Sequence, residues 1–278
     1  MTPKRSAILA ALALAALAAS SISRAQGVPS DSVLRDFQPT GEFALLVDGI
    51  PVPKAEIYQN EKIPAVLVLT SALPSPVLIT PRAGTAQTVQ IMKIAKQPDG
   101  SVDLLADAVL ATVGKLQPVG ENVKFTYEGR KVSLNPKPPL TGLHPGADLK
   151  THNPAYARSA SAYQPNGAVI AALKKESKPV TVRVFFGSWC PHCRQLVPSI
   201  LKVEDSLQGS LVKFEYFGLP KPPAAWQDPE VKRLKIGGVP TGIVYIDGKE
   251  MGRIIGESWS APEVQINKIV NGTAAKGK

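Results

Sequence analysis

The sequence predicts a chain in two parts, a small mostly-β domain followed by an α/β domain. Three observations carry this reading. Residues 42–135 are a series of short β-like runs broken by Gly, Pro and Asp. Residues 136–165 are crowded with Pro and Gly. Beyond them, a compact β-rich run passes through a sharp turn into an apolar helical pattern. The 278 residues allow one large domain or two ordinary ones. A hydrophobic content of 44% with 19% charged residues suits a packed core and excludes a disordered chain.

The first residues predict export. Lys4 and Arg5 precede an apolar stretch from Ala7 to Ala19, and Ser23-Arg24-Ala25 offers the small residues a signal peptidase reads. We expect a signal peptide at 1–25, cleaved after Ala25, with an uncleaved anchor as the alternative. The expected destination is the periplasm. No Cys lies near the cleavage site, so no lipid-modified N-terminus is expected. After residue 25 no apolar run reaches ~18 residues, the length of a second membrane span.

The expected N-terminal domain spans 26–135. Phe43–Pro51, Ala65–Thr70, Pro76–Thr80 and Val89–Ile94 read as strands. Val123-Lys-Phe125-Thr-Tyr127 alternates, turns at Glu128-Gly129 and returns through Val132 to Leu134, the pattern of a hairpin. Ser101–Leu116 fits either helix or strand. A barrel or sandwich without a catalytic constellation is the expectation, serving docking or dimerisation.

Residues 136–165 read as a connector. Pro136, Pro138, Pro139, Pro145, Pro154 and Pro165 break regular structure. His144 and His152 lie here without a ligand spacing such as HxxxH, and no metal site is expected.

The expected α/β domain spans 166–278. Gly167–Ser177 reads as a helix and Val180–Phe186 as a buried strand. The strand ends at Gly187-Ser188-Trp189-Cys190-Pro191-His192-Cys193, and helical spacing continues through Leu196, Val197, Ile200, Leu201 and Val203. The only two cysteines therefore sit where a strand ends and a helix begins. A structural disulfide would close a longer loop, because a very small loop removes little entropy from the unfolded chain. A pair three residues apart is better suited to opening and closing against a partner molecule. Free N–H groups and the positive dipole end of the helix favour a thiolate at Cys190. Cys190 is expected to attack and Cys193, one turn in, to resolve. Pro191 fits the first helical position. His192 adds a polar or cationic group beside the thiolate and should make the disulfide more oxidising.

Charge argues against one class of partner. Residues 1–25 hold three basic residues and no acid. Residues 26–150 balance 12 basic against 12 acidic residues, and residues 151–278 carry 17 against 10. The excess is scattered, without a basic run or an aromatic–basic face, so nucleic-acid binding is not expected.

Residues 166–271 resemble the thioredoxin superfamily. Trp189-Cys190-Pro191-His192-Cys193 is similar to its W-C-x-x-C motif, with the Pro-His dipeptide of DsbA-type disulfide oxidases. Pro198 falls where the family kinks its active-site helix. Gly238-Val239-Pro240-Thr241 resembles the loop bearing a cis-proline, and Gly248 and Gly256 match two late glycines. The resemblance implies a central sheet flanked by helices, a cis Val239–Pro240 bond, and substrate pairing at Val239, Pro240 and Thr241. Trp189, Cys190, Pro191, His192 and Cys193 become the implied catalytic motif. The helical insertion of DsbA is missing here. The buried Asp of thioredoxins, six residues before the first Cys, is replaced by Val184. Glu215, on the next strand and otherwise among apolar residues, is a candidate replacement base for Cys193. An outward-facing Glu on a sheet edge, or a partner for Arg183, is the other reading of Glu215.

The expected function is exported thiol–disulfide exchange with protein thiols or disulfides through a redox-active Cys190–Cys193 pair, without another cofactor. A membrane redox partner is a candidate for recharging it. Copper delivery on the two thiolates and a non-catalytic adaptor role are the alternatives.

Overall fold

The computed structural model describes residues 34–60 and 62–274. The expected signal peptide lies outside the described residues. Among the described residues no helix is long and apolar enough to cross a membrane.

The N-terminal half is a β-sandwich. Strands Gln38–Pro39, Glu56–Asn60, Ala65–Leu69, Val77–Thr80, Thr85–Thr88 and Ala111–Lys115 form one antiparallel sheet, in that order. The second sheet runs Gln117–Val119, Asn122–Tyr127, Arg130–Pro136, Phe43–Val47, Ile50–Pro51. Leu45, Phe125 and Val132 from one sheet meet Ile57, Val66 and Val77 from the other in a shared core. Ala65–Leu69 is buried along its whole length, because its other face packs in a second core with Phe37, Val102 and Leu104. That accounts for its unbroken apolar run, where a half-exposed strand would alternate. The expected hairpin is present, with φ of 47° at Glu128 and 75° at Gly129. A two-residue turn that matches the strand twist needs positive φ at both positions. The ambiguous stretch 101–116 resolves into two strands, Val102–Leu104 and Ala111–Lys115.

The C-terminal half is built on one five-stranded sheet. Its strands are β1 (Gly142–His144), β2 (Val180–Phe186), β3 (Val212–Gly218), β4 (Thr241–Ile246) and β5 (Lys249–Ile254), in the spatial order β1-β3-β2-β4-β5. Only β2 and β3 are parallel, and the chain crosses between them through helix α4 (Pro191–Ser206). The remaining pairs are antiparallel. One sheet face packs Val182, Val184 and Tyr216 with α4 and with the C-terminal helix (Pro262–Ala274). The other packs Phe185 and Ile243 against Val231 and Leu234.

The expected connector is the main correction. Residues 142–162 form β1 and two helices, α1 (Gly146–His152) and α2 (Pro154–Ala162), which belong to the α/β domain. β1 pairs with β3, while Leu149 and Tyr156 are buried in the core that holds α4. The prolines begin these helices and do not prevent them. Pro145 precedes the first turn of α1, and Pro154 occupies the first turn of α2, where a missing N–H costs nothing. Asn153 caps α2 by accepting from the Ala155 N–H. The next helix, α3, covers Gly167–Leu173, shorter than expected, and is capped by Asn166.

Candidate active site

Strand β2 delivers the chain to the start of α4. Gly187 lies in the turn between them, and a β-carbon there would sit 2.5 Å from the Trp189 ring. Glycine thus lets the indole fold back, where its N–H donates to the Leu219 carbonyl at 2.9 Å. Cys190 is the N-cap residue of α4, with Pro191 and His192 exposed in the first turn and Cys193 behind them. Both cysteines are free thiols. Both thiols are buried, Cys190 at 6% exposure and Cys193 at 0%, so Cys190 is less open than the expected accessible nucleophile.

Burial pushes the Cys193 thiol well above its ordinary pKa, and the neighbouring Cys190 adds to this. The Gly187 N–H, 3.4 Å from Cys193 Sγ, offsets part of the cost by hydrogen bonding to the sulfur. The Cys190 thiol donates to the Val239 carbonyl at 3.8 Å. The Val239–Pro240 bond is cis, as expected. Thr241 Oγ1 donates to the Gly238 carbonyl at 2.7 Å, and the buried Trp259 donates from Nε1 to the Pro240 carbonyl at 3.1 Å. These bonds hold the loop opposite the reactive pair.

Glu215 is not at the site. Along β3, Phe214 and Tyr216 face the core that contains both cysteines, while Phe217 faces the opposite core. Side chains alternate along a strand, so Glu215 shares the face of Phe217. There it pairs with Arg183, Nε to Oε2 at 2.8 Å, with its side chain about one-third exposed. Arg183 and Glu215 are register partners across β2 and β3, as are Val184 and Tyr216. The cysteine-facing position on β2 is Val184, fully buried and without a carboxylate.

Several neighbours of the pair escaped the sequence reading. Arg194 follows Cys193 and forms an ion pair with Glu42 of the β-sandwich, 2.5 Å apart. Asn153 Oδ1 accepts from Gly41 N–H at 3.1 Å, and Arg158 donates to the Pro39 carbonyl at 2.8 Å. The Leu140 N–H donates to Ser188 Oγ. Tyr156 is buried in the same core as the cysteines, and its hydroxyl has no hydrogen-bond partner among the described residues. Burial, and then the proximity of Cys193, pushes its phenol up. No motif marks any of these. The contacts of Arg194, Asn153 and Arg158 join residues more than a hundred positions apart, and those of Leu140 and Tyr156 residues about forty to fifty apart.

His144 pairs with Asp148, and His152 is half-buried between the halves with its pKa lowered, first by burial and then by Lys137.

The thioredoxin-like domain family matches residues 167–266. Thioredoxin H2 of Arabidopsis thaliana is 30% identical over 96 residues, 34% of this chain and 66% of that protein. The chain thus spans just under two thirds of that relative. Among solved structures, mitochondrial thioredoxin 3 of Saccharomyces cerevisiae in its oxidised form is 21% identical, over 40% of this chain and 98% of its own, with a TM-score of 0.27. A Pseudomonas aeruginosa protein of unknown function is 14% identical, over 47% of this chain and 88% of its own, with a TM-score of 0.36.

Proposed function

This chain belongs to the thioredoxin superfamily through its C-terminal domain, and from that premise we propose that it is an exported thiol–disulfide oxidoreductase acting on proteins through Cys190 and Cys193. The thioredoxin-like fold points to redox or thiol–disulfide chemistry in general. One observation carries the finer reading: two free thiols on the first turn of α4, the outer one against the Val239 carbonyl of the cis-proline loop.

The exchange runs in two steps. The Cys190 thiolate attacks one sulfur of a substrate disulfide, forming a mixed disulfide and expelling the other sulfur as a thiolate. Cys193 then loses its proton and attacks Cys190 Sγ. This closes the Cys190–Cys193 disulfide and releases the second substrate thiolate. Two electrons pass to the substrate. Run in reverse, the same steps oxidise a substrate dithiol, and the partner that recharges the pair sets the direction. The sequence features of residues 1–25 support export, and a membrane-bound redox partner is the recharging route we favour.

Trapping tests the assignment. Cys193→Ser should accumulate mixed disulfides with protein substrates through Cys190, and wild type should reduce insulin in the presence of dithiothreitol. Trapping by Cys190→Ser instead would reverse the roles. An inert wild type that binds Cu(I) stoichiometrically through both thiols would replace exchange by metal delivery.

A further inference from the structure

Resting on the exchange reading, we propose that the β-sandwich and the thioredoxin-like domain together form a groove for an extended segment of substrate polypeptide, leading away from the sulfur that Cys190 attacks.

The groove encloses about 1030 Å³. One wall belongs to the sandwich, with Gln38, Thr40, Gln59 and Asp99. The other belongs to α2 and to the first turns of α4, where Pro191, Arg194 and Gln195 line it. Pro191 is the residue next to Cys190, so the groove ends at the reactive turn. A second cleft of about 190 Å³ shares Glu42, Asn153 and Arg194 with the first and continues to Ser188 and Trp189. The reactive turn therefore borders space that the sandwich helps to enclose. The sandwich lies outside the matched residues 167–266, so its wall is an addition to the superfamily domain.

The wall is fixed in place. Gly41 approaches so closely that a β-carbon would collide with the His152 carbonyl and the Asn153 backbone. The Gly41–Asn153 and Arg158–Pro39 hydrogen bonds and the Arg194–Glu42 pair cross the same boundary. A groove with walls held this way costs little to order when it binds.

Its chemistry selects the occupant. Gln38, Gln59, Gln195, Thr40 and Ser159 offer both donors and acceptors without net charge. Arg194 is matched by Glu42, and Arg158, which donates to the Pro39 carbonyl, is offset by the Asp99 carboxylate that lines the same groove. A peptide backbone presents the same mixture of N–H and C=O at every residue. A small anionic disulfide would instead call for unmatched positive charge. The volume also reaches the top of the range for small-molecule pockets, roughly 300–1,000 Å³.

Length dependence of the substrate tests this. Disulfide-linked peptides with a short or a long arm on one side of the bond are compared with 5,5′-dithiobis(2-nitrobenzoate), which reports the reactive pair alone. For wild type, KM should fall about tenfold from the short to the long arm, the equivalent of about 1.4 kcal/mol. Ser159→Trp and Gln59→Trp, on opposite walls, should bring the ratio of the two KM values toward one. Lys174→Trp, on an exposed helix end outside the groove, should preserve the ratio. Equal KM values for both arms in wild type, or an undiminished ratio in both groove variants, would overturn the groove. A wild type inert toward the small disulfide would overturn the exchange reading itself.

Discussion

Cys193 carries its thiol in a fully buried position, and that position makes the stability of the reduced protein depend on pH. Its folded pKa lies well above the ordinary thiol value of 9.0. A group raised on folding contributes stability that is present in full below its unfolded pKa and is lost as pH climbs toward its folded one. The window therefore opens near pH 9, with a slope of about 1.4 kcal/mol per pH unit at its steepest. Reduced wild type should lose melting temperature between pH 9 and 10, and Cys193→Ser should lose less over the same interval. Parallel melting curves for the two proteins would show that Cys193 titrates normally. At this scale the sequence was highly legible where a local motif decides the geometry. The cysteine pair and its order of exposure were readable from the residues, and the cis bond before Pro240 from the resemblance. Glu215 stood between two readings, and the partner for Arg183 is the one found; the proton-transfer reading fails because the face of a strand changes with a one-residue slip in alignment. Val184 opposite Tyr216, with Arg183 opposite Glu215, places the carboxylate one residue away from the position that would face Cys193.

Helix α2 shows how an element was missed. A stretch with six prolines reads as broken chain when each proline is counted as an interruption, yet Pro154 sits where a helix accepts one. The informative residue was Asn153. Its side-chain oxygen accepts from Ala155 N–H, capping α2, and from Gly41 N–H, tying the helix to the sandwich. Asn153 is 3% exposed, so removing that oxygen leaves two backbone donors to find other partners. Asn153→Ala should cost about 1–2 kcal/mol, the upper part of the range for a lost N-cap, measurable as a lower urea midpoint. An unchanged midpoint would mean that neither bond contributes to stability. By contrast, α4 was legible from its start through Val203, because its apolar positions repeat at helical spacing and its start is marked by the cysteine motif. Several strands of the sandwich were legible, but the expected strand Val89–Ile94 is mostly a 3-10 turn at Ile91–Lys93, and the strand order was not readable. Their pairing is set by cross-strand contacts that no local pattern encodes.

At the scale of the molecule, a two-domain chain was the right outline, and the closeness of the two halves was hidden from the sequence. Gly41 and Asn153 are 112 positions apart, and nothing local announces that they meet. The lack of side-chain volume at Gly41 has a thermal consequence. Two domains joined by a loose linker melt as two events, each with its own enthalpy. Two halves pressed backbone to backbone, and bridged by hydrogen bonds and an ion pair, share their fate on heating. Calorimetry of the reduced protein should therefore record one endotherm, with calorimetric and van't Hoff enthalpies that agree. Gly41→Ala should split it into two, the sandwich and the thioredoxin-like domain each absorbing heat separately. Two peaks already present in wild type would show that the halves are uncoupled. If wild type gives one peak and Gly41→Ala gives two, a missing methyl group at one glycine is what lets a sandwich and an α/β domain unfold as one cooperative unit.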